Sequence, residues 1–184
     1  MPLGPFLGKS FATSIGAWVT PLEALAPYRV PGATQDPVPL PHLRVSEPAV
    51  FDVELEVALN TDVISRTNAR NLYWTVEQQI AHLTSNGAVL RTGDLLASGT
   101  ISGAEPGSRG SLIELTWNGA EPLQLEGGAT RTFLEDGDEV VLRGRTTGFE
   151  LAEVRNDLPR NGPSGTYSQA WRSRADQSFT RQTP

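Results

Sequence analysis

Three short segments of the chain carry residue types that can bind or activate a small polar ligand. In the first, Lys9 lies between a Gly/Pro-rich stretch and Phe-Ala-Thr, so that its ammonium group and the hydroxyl of Thr13 can meet at one ligand. In the second, an apolar stretch ends in Ser-Gly-Thr, where the backbone amides of Gly99 and Thr100 can bind a carboxylate or carbonyl oxygen. In the third, Glu114 is a lone carboxylate among apolar neighbours.

Each of these segments also has a purely structural interpretation. A solvated surface position is the commoner role for a residue such as Lys9, and Ser-Gly-Thr can simply end a strand in a turn. Alternation in Leu-Ile-Glu-Leu can place Glu114 on the solvent face of a strand over 111–117. The residue types alone therefore leave both interpretations open.

Two further acidic groups could be mistaken for cation sites. Asp52, Glu54 and Glu56 are spaced by two and share one face of a predicted strand, so they could bind a hard cation. The favoured interpretation is a solvated strand face. The acidic turn at 136–139 lacks the ligand spacing of a calcium loop. Structural or hydrogen-bonding roles are predicted for Gln78, Gln79 and His82.

The composition limits the class of protein and its partners. The chain has 184 residues, of which 38% are hydrophobic, and this suits one soluble domain with its own core. Its net charge is −6 and the basic residues are scattered, which argues against nucleic acid or an anionic membrane as a partner. Cysteine is absent, which excludes disulfides and thiolate sites. A cytoplasmic location is expected.

The elements that must position the three segments are mostly short strands. The 18 glycines and 14 prolines favour strands and turns over helices. Alternation predicts a half-buried strand over 51–59, and an apolar stripe of three- and four-residue steps predicts one clear helix over 71–83. Further strands are predicted near 94–101, 111–117, 130–134 and 139–145, with one helical turn at 22–26 and with turns at 60–62, 118–119, 127–128 and 136–137.

Four motifs together resemble the fumarylacetoacetase branch of the fumarylacetoacetate hydrolase family. They are the Lys9 segment, Asn-Leu-Tyr-Trp at 71–74, the long Arg-x-Gly-Asp-Leu-Leu-Ala-Ser-Gly-Thr-Ile-Ser-Gly motif at 91–103, and Asp-Gly-Asp-Glu at 136–139. The resemblance covers 1–158 and implies a mainly β fold with one or two helices. This is the mixed β-sandwich roll of the family's C-terminal catalytic domain, expected to be incomplete at its N-terminal side. Residues 159–184 are polar and aperiodic and are predicted to be a disordered tail.

The resemblance also implies roles for individual residues. Lys9 would stabilise a developing oxyanion, and together with Ala12 and Thr13 it would contact the shell of a Mg²⁺ ion, with Ca²⁺ as a second candidate. Ala12 departs from the family, which usually has glycine there. Gly99 and Thr100 would contact a β-diketo acid substrate, and Glu114 would orient a histidine that activates water. A homodimer is the family's usual assembly.

The resemblance places two parts of the site outside this sequence. In the family, the metal carboxylates and the catalytic histidine lie in an upstream portion, and neither His42 nor His82 stands in a matching motif. The chain is therefore expected to be an impaired fragment of a hydrolase that converts fumarylacetoacetate to fumarate and acetoacetate. The alternatives are a non-catalytic remnant or interaction module, and a related acylpyruvate-type hydrolase.

Overall fold

The computed structural model describes residues 13–158, and in that range the chain is mainly β. The three helices there are short: α1 (Leu22–Leu25), α2 (Val76–Thr84) and α3 (Leu112–Leu115). The strands in chain order are β1 (Arg29–Pro31), β2 (Ala49–Phe51), β3 (Glu54–Leu59), β4 (Asp62–Asn68), β5 (Leu123–Gln124), β6 (Thr130–Arg131), β7 (Glu139–Arg145) and β8 (Val154–Asp157). Single 3₁₀ turns lie at Ala26–Tyr28, Pro41–Leu43, Ala69–Asn71, Pro106–Ser108 and Glu126–Gly128.

The strands form one central sheet and two small ribbons. The central sheet has the order β4-β3-β7-β8, and β1-β2 and β5-β6 form two-stranded ribbons. Every strand pairing in the described residues is antiparallel. The mainly β class with few helices is thus confirmed, without a closed barrel in residues 13–158. In this part of the chain, no helix is long and apolar enough to cross a bilayer.

Strand β3 lies in the middle of the central sheet, but the strand predicted over 51–59 is interrupted at 52–53, and its first residue belongs to β2 in a different sheet. Val53 precedes β3 and is buried, and Ala58 and Leu59 at the end of β3 are buried as well. A register shift between Val57 and Ala58 lets two consecutive side chains point inward at the strand end. Asn60 then adopts a left-handed conformation, with φ 57°, in the predicted turn to β4.

The acidic face of β3 is paired with arginines. Glu54 lies 2.6 Å from Arg145, and Glu56 accepts hydrogen bonds from Arg66 at 3.1 Å and Arg143 at 3.2 Å. These ion pairs lie at the surface, where each contributes about 0–1 kcal/mol. The interpretation as a strand face at the surface is therefore confirmed for Glu54 and Glu56, whereas Asp52 lies between β2 and β3 and is not part of that face.

Helix α2 forms in the segment predicted to be helical, but it begins at Val76, five residues after the predicted start, and it buries a different face. Thr75 provides the capping box with Gln78, and Gly87 follows the helix with a left-handed φ of 88°. The predicted apolar stripe is not the buried face, since Val76 and Leu83 are each more than 40% exposed. The buried residue is Gln78, whose amide group bonds to Gln35 and to the Leu43 carbonyl.

Two predicted strands are wrong. Residues 94–101 have no regular secondary structure, because the segment is exposed and pairs with no strand among the described residues. Residues 112–115 form helix α3 rather than part of a strand over 111–117, because Leu112 and Leu115, three apart, lie on its less exposed side. Strand β6 is shorter than the predicted 130–134, and residues 13–21 contain no strand. The tail from 159 onward lies outside the described residues.

A buried carboxylate, Asp138, joins the central sheet to the β5-β6 ribbon. It accepts hydrogen bonds from two nitrogens of Arg131 at 2.9 Å, from Asn60 at 3.1 Å and from the Glu135 backbone N–H at 2.8 Å. The Arg131 guanidinium, assisted by the Glu135 and Asn60 donors, lowers the pKa of Asp138 to about 2. The charged form is therefore the one that the fold stabilises.

Replacing Asp138 by asparagine should lower the free energy of unfolding at pH 7 by about 2–4 kcal/mol, because the substitution removes a buried, paired charge. The pKa of this carboxyl is depressed below its ordinary 3.8, so its contribution is present above that pH and is lost as the pH falls towards 2. Urea unfolding between pH 7 and pH 3 should therefore show the variant and the parent converging below pH 4.

The matched control is Asp94→Asn, because Asp94 is an exposed carboxylate that accepts one backbone N–H in a turn. It should change the free energy of unfolding by no more than about 0.5 kcal/mol. A constant difference between Asp138→Asn and the parent across the pH range would show that the charge of Asp138 is not what stabilises the cluster.

Candidate active site

Glu114 lies in the first turn of α3, where two serine hydroxyls hold its carboxylate. The hydroxyl of Ser111, three residues earlier, donates to Oε2 at 2.7 Å. The hydroxyl of Ser102, from a distant segment, lies 3.0 Å from Oε1 and 2.9 Å from Oε2. The side chain is half-buried, and the helix begins at Leu112. The carboxylate is thus fixed from two directions rather than being free in solvent.

The C-terminal end of α3 is attached to the β5-β6 ribbon by Thr116. This residue is fully buried, and its hydroxyl oxygen lies 2.7 Å from the carbonyl oxygen of Leu112 and 3.1 Å from that of Thr132, with its single hydrogen directed towards these two acceptors. The backbone N–H of Gly119 donates to the same oxygen at 3.1 Å. Because Thr132 directly follows β6, this contact attaches the helix that carries Glu114 to the ribbon.

Two glycines let the segment with Thr100 and the segment before α3 approach closely. A Cβ on Gly110 would lie 2.5 Å from the carbonyl oxygen of Ile101 and 2.8 Å from Cγ2 of Thr100. A Cβ on Gly103 would lie 2.5 Å from Oγ of Ser108. Neither position has room for a larger residue without moving backbone or a short side chain.

The surroundings of Glu114 favour its ionised form. Its pKa is lowered, first by the hydrogen bond from Ser111, then by the bond from Ser102 and by the positive charge of Arg109. The guanidinium of Arg109 lies 4.8 Å from the ring centre of Trp117 and donates to the Glu114 carbonyl at 3.3 Å. Glu114 is therefore a charged acceptor at neutral pH.

The other predicted site residues are partly placed by the structure. Gly99 adopts a left-handed φ of 79° and Thr100 follows it, and both are exposed. Thr100 reaches the Glu114 cluster through its methyl group, which faces Gly110. Thr13 is exposed, whereas Lys9 and Ala12 lie outside the described residues. Their roles therefore stay predictions.

Residues 13–158 contain no set of side chains that could bind the expected metal ion. No group of three or more His, Asp or Glu side chains there is arranged to hold an ion. Near β3, Asp52 pairs with Arg70, just as Glu54 and Glu56 pair with arginines. The donors present in this part of the chain do not fit Mg²⁺ or Ca²⁺, so no step below is assigned to a metal.

The expected histidine partner of Glu114 is also not supplied by the described residues. His42 and His82 are both exposed, and neither forms a hydrogen bond or an ion pair with this carboxylate. The carboxylate nevertheless retains acceptor capacity, because ionised oxygens offer about four lone-pair sites in total. A donor from another segment can therefore still bind Glu114.

Several residues of the cluster were missed by sequence reasoning. Ser111 could have been found, since a serine three residues before a glutamate is a common helix start. Ser102 lies in the motif at 91–103, but its contact with Glu114, like the contacts of Gly110 and Arg109, depends on how the loop after the motif returns and is not visible in the sequence.

The fold and the cluster define a mainly β domain with a fixed, charged carboxylate beside a Gly-Thr turn. Residues 1–158 match the family model described as fumarylacetoacetate (FAA) hydrolase C-terminal. The chain is 52% identical to the fumarylacetoacetase of Mus musculus over 154 residues, which are 80% of this chain and 37% of that relative.

Two other relatives agree with this match. The chain is 54% identical to the fumarylacetoacetase of Arabidopsis thaliana over 150 residues, which are 78% of this chain and 35% of the relative. It is 51% identical to the fumarylacetoacetase of Homo sapiens over 154 residues, which are 80% of this chain and 37% of that relative. The chain belongs to the fumarylacetoacetate hydrolase family, and it spans little more than a third of the length of these relatives.

Replacing Gly110 by alanine should lower the free energy of unfolding by about 1–3 kcal/mol, because the new methyl group would overlap the Ile101 carbonyl. Gly107→Ala is the matched control in the same loop, since a Cβ there meets nothing within 4 Å. Urea unfolding followed by tryptophan fluorescence would compare the two variants with the parent. Equal stability of the two variants would contradict the close approach of these segments.

Proposed function

We propose that this chain contributes the C-terminal part of the active site of a hydrolase that cleaves fumarylacetoacetate to fumarate and acetoacetate. This reaction is the last step of tyrosine and phenylalanine catabolism. The proposal is supported by family membership and by identities of about 50% to proteins named fumarylacetoacetase. The observation that carries it is the carboxylate of Glu114, held ionised and oriented by two hydroxyls while it keeps acceptor capacity.

The proposed reaction consumes one water molecule. The water oxygen adds to the carbonyl carbon next to the fumaryl double bond, and the bond from that carbon to the neighbouring methylene breaks. The electron pair leaves with the acetoacetate part, which takes up a proton, and the added oxygen becomes part of the new fumarate carboxylate. This chemistry needs a base for the water and a positive or hydrogen-bonding environment for the developing oxyanion.

Glu114 fits the role of the group that orients the base. A charged carboxylate with a fixed direction can accept a hydrogen bond from an imidazole N–H and hold the ring in one tautomer. Its own basicity is low, since its pKa is lowered, so it is better suited to orienting a base than to being one. The base itself is proposed to be a histidine from outside residues 13–158.

The other proposed roles follow from family membership. Gly99 and Thr100 would bind the substrate, and their exposure leaves them open to a small molecule. Lys9 would stabilise the oxyanion, and Lys9, Ala12 and Thr13 would contact the shell of Mg²⁺, with Ca²⁺ as the alternative ion. A cytoplasmic homodimer is the proposed assembly, because it is the family's usual one and because the cysteine-free, acidic composition suits the cytoplasm.

The test is hydrolysis of fumarylacetoacetate by the purified chain with Mg²⁺, followed by the loss of substrate absorbance. The assay is run with the chain alone and with the portion of the mouse relative that precedes the matched region added. Glu114→Gln should reduce turnover by about 10²–10⁴-fold, because it removes the charge that orients the base.

Glu121→Gln is the matched control, since Glu121 is an exposed carboxylate seven residues further on. It should leave turnover unchanged. Absence of turnover in both arms of the assay would overturn the proposal. Faster cleavage of acylpyruvates than of fumarylacetoacetate would instead assign the related acylpyruvate-type activity.

A further inference from the structure

We propose that Ser102 is a positioning residue of this site, which fixes the carboxylate of Glu114 and ties it to the Gly99–Thr100 turn. Ser102 lies three residues after Gly99 and twelve before Glu114, and neither the family match nor the relatives' names give it a role. For its effect on hydrolysis, the inference rests on the proposed function. For the state of Glu114, it rests on the contacts of Ser102 alone.

The direction of the Ser102 hydroxyl is determined by its other contact. The backbone N–H of Gly110 donates to Oγ of Ser102 at 3.0 Å. Because this N–H binds a lone pair of the Ser102 oxygen, the hydroxyl hydrogen of Ser102 points away from Gly110 and towards Glu114. Its oxygen lies at nearly equal distances, 3.0 and 2.9 Å, from the two carboxylate oxygens. A single hydroxyl therefore spans the carboxylate.

Ser111 cannot replace this contact. Its hydroxyl donates to Oε2 from within the same helical turn, at 2.7 Å, so it moves together with Glu114 when α3 moves. Ser102 belongs to a segment outside the helix, so its hydrogen bond fixes the position of the Glu114 carboxylate relative to that segment. The same segment carries Thr100, whose methyl group faces Gly110. Ser102 thus sets the distance between the substrate turn and the carboxylate.

The charged group that acts on Glu114 besides these hydroxyls is Arg109. Its guanidinium lies over Trp117 and bonds to the Glu114 carbonyl rather than to the carboxylate. The positive charge of Arg109 lowers the pKa of Glu114 less than either serine does. Removing Ser102 should therefore change the pKa of Glu114 even though Arg109 stays in place.

The first experiment measures the pKa of the Glu114 carboxyl by ¹³C NMR titration of the full chain. Ser102→Ala should raise this pKa, because it removes a hydrogen bond to the charged form. Ser102→Thr keeps the hydroxyl and should leave the pKa close to that of the parent. Ser102→Cys, a weak donor of similar size, should give an intermediate value and serves if the alanine variant does not fold. Ser85→Ala is the control, because its hydroxyl bonds only to the His82 carbonyl.

The second experiment measures hydrolysis in whichever arm of the assay is active. Ser102→Ala should lower kcat roughly ten- to hundred-fold, because a small displacement of an orienting group is costly in the reaction step, while KM changes much less. Ser102→Thr should restore most of kcat. A purely structural role would lower the amount of folded enzyme without this split between kcat and KM.

The two proposals fail in different ways. An unchanged Glu114 pKa in folded Ser102→Ala, or in Ser102→Cys if the alanine variant does not fold, would overturn the positioning role, whatever the activity. A raised pKa together with no hydrolysis by the parent would support the contact and overturn the proposed function. A raised pKa with an unchanged kcat in an active parent would show that the orientation of Glu114 does not matter for the reaction and would also overturn the positioning role.

Discussion

The hydrogen-bonded burial of Asp138 is the constraint on which the described structure depends. A charge taken out of water must be matched by donors, and here they come from Arg131 in β6, Asn60 after β3 and the backbone before β7. These donors hold the β5-β6 ribbon against the central sheet. Thr116 then attaches α3 to the end of that ribbon. The position of Glu114 follows from this series of contacts.

The carboxylates of Asp138 and Glu114 differ in how many of their lone pairs already accept hydrogen bonds. Asp138 is 2% exposed and receives four hydrogen bonds, so little acceptor capacity remains and its role is to hold the fold. Glu114 is half-buried and receives bonds from two hydroxyls, so it can accept another donor. Both have lowered pKa values, but only Glu114 keeps free lone pairs on its carboxylate, which agrees with the role proposed for it.

Sequence reasoning succeeded where the local pattern and the final packing agree. The strand over 139–145 coincides with β7, and the predicted turns at Asn60 and Gly137 have the left-handed residues that their types favour. It failed where a distant segment decides. The apolar stripe predicted the helix, yet the segment between β1 and β2 supplies Gln35 and the Leu43 carbonyl, and these bury Gln78 on a different face of α2. For 111–117, alternation predicted a strand, although no strand among residues 13–158 pairs with this segment.

The sequence by itself determined the family resemblance and the mainly β class, because both follow from residue types and motifs along the chain, and the resemblance in turn pointed to Gly99, Thr100 and Glu114 as candidate residues. The tertiary structure alone decided that Glu114 lies on a helix, that Ser102 spans its carboxylate, and that Gly110 lets the two segments touch. The physical reason is the distance along the chain over which each effect acts. Propensity and periodicity act over a few residues, whereas a buried or half-buried carboxylate takes its donors from wherever the folded chain brings them.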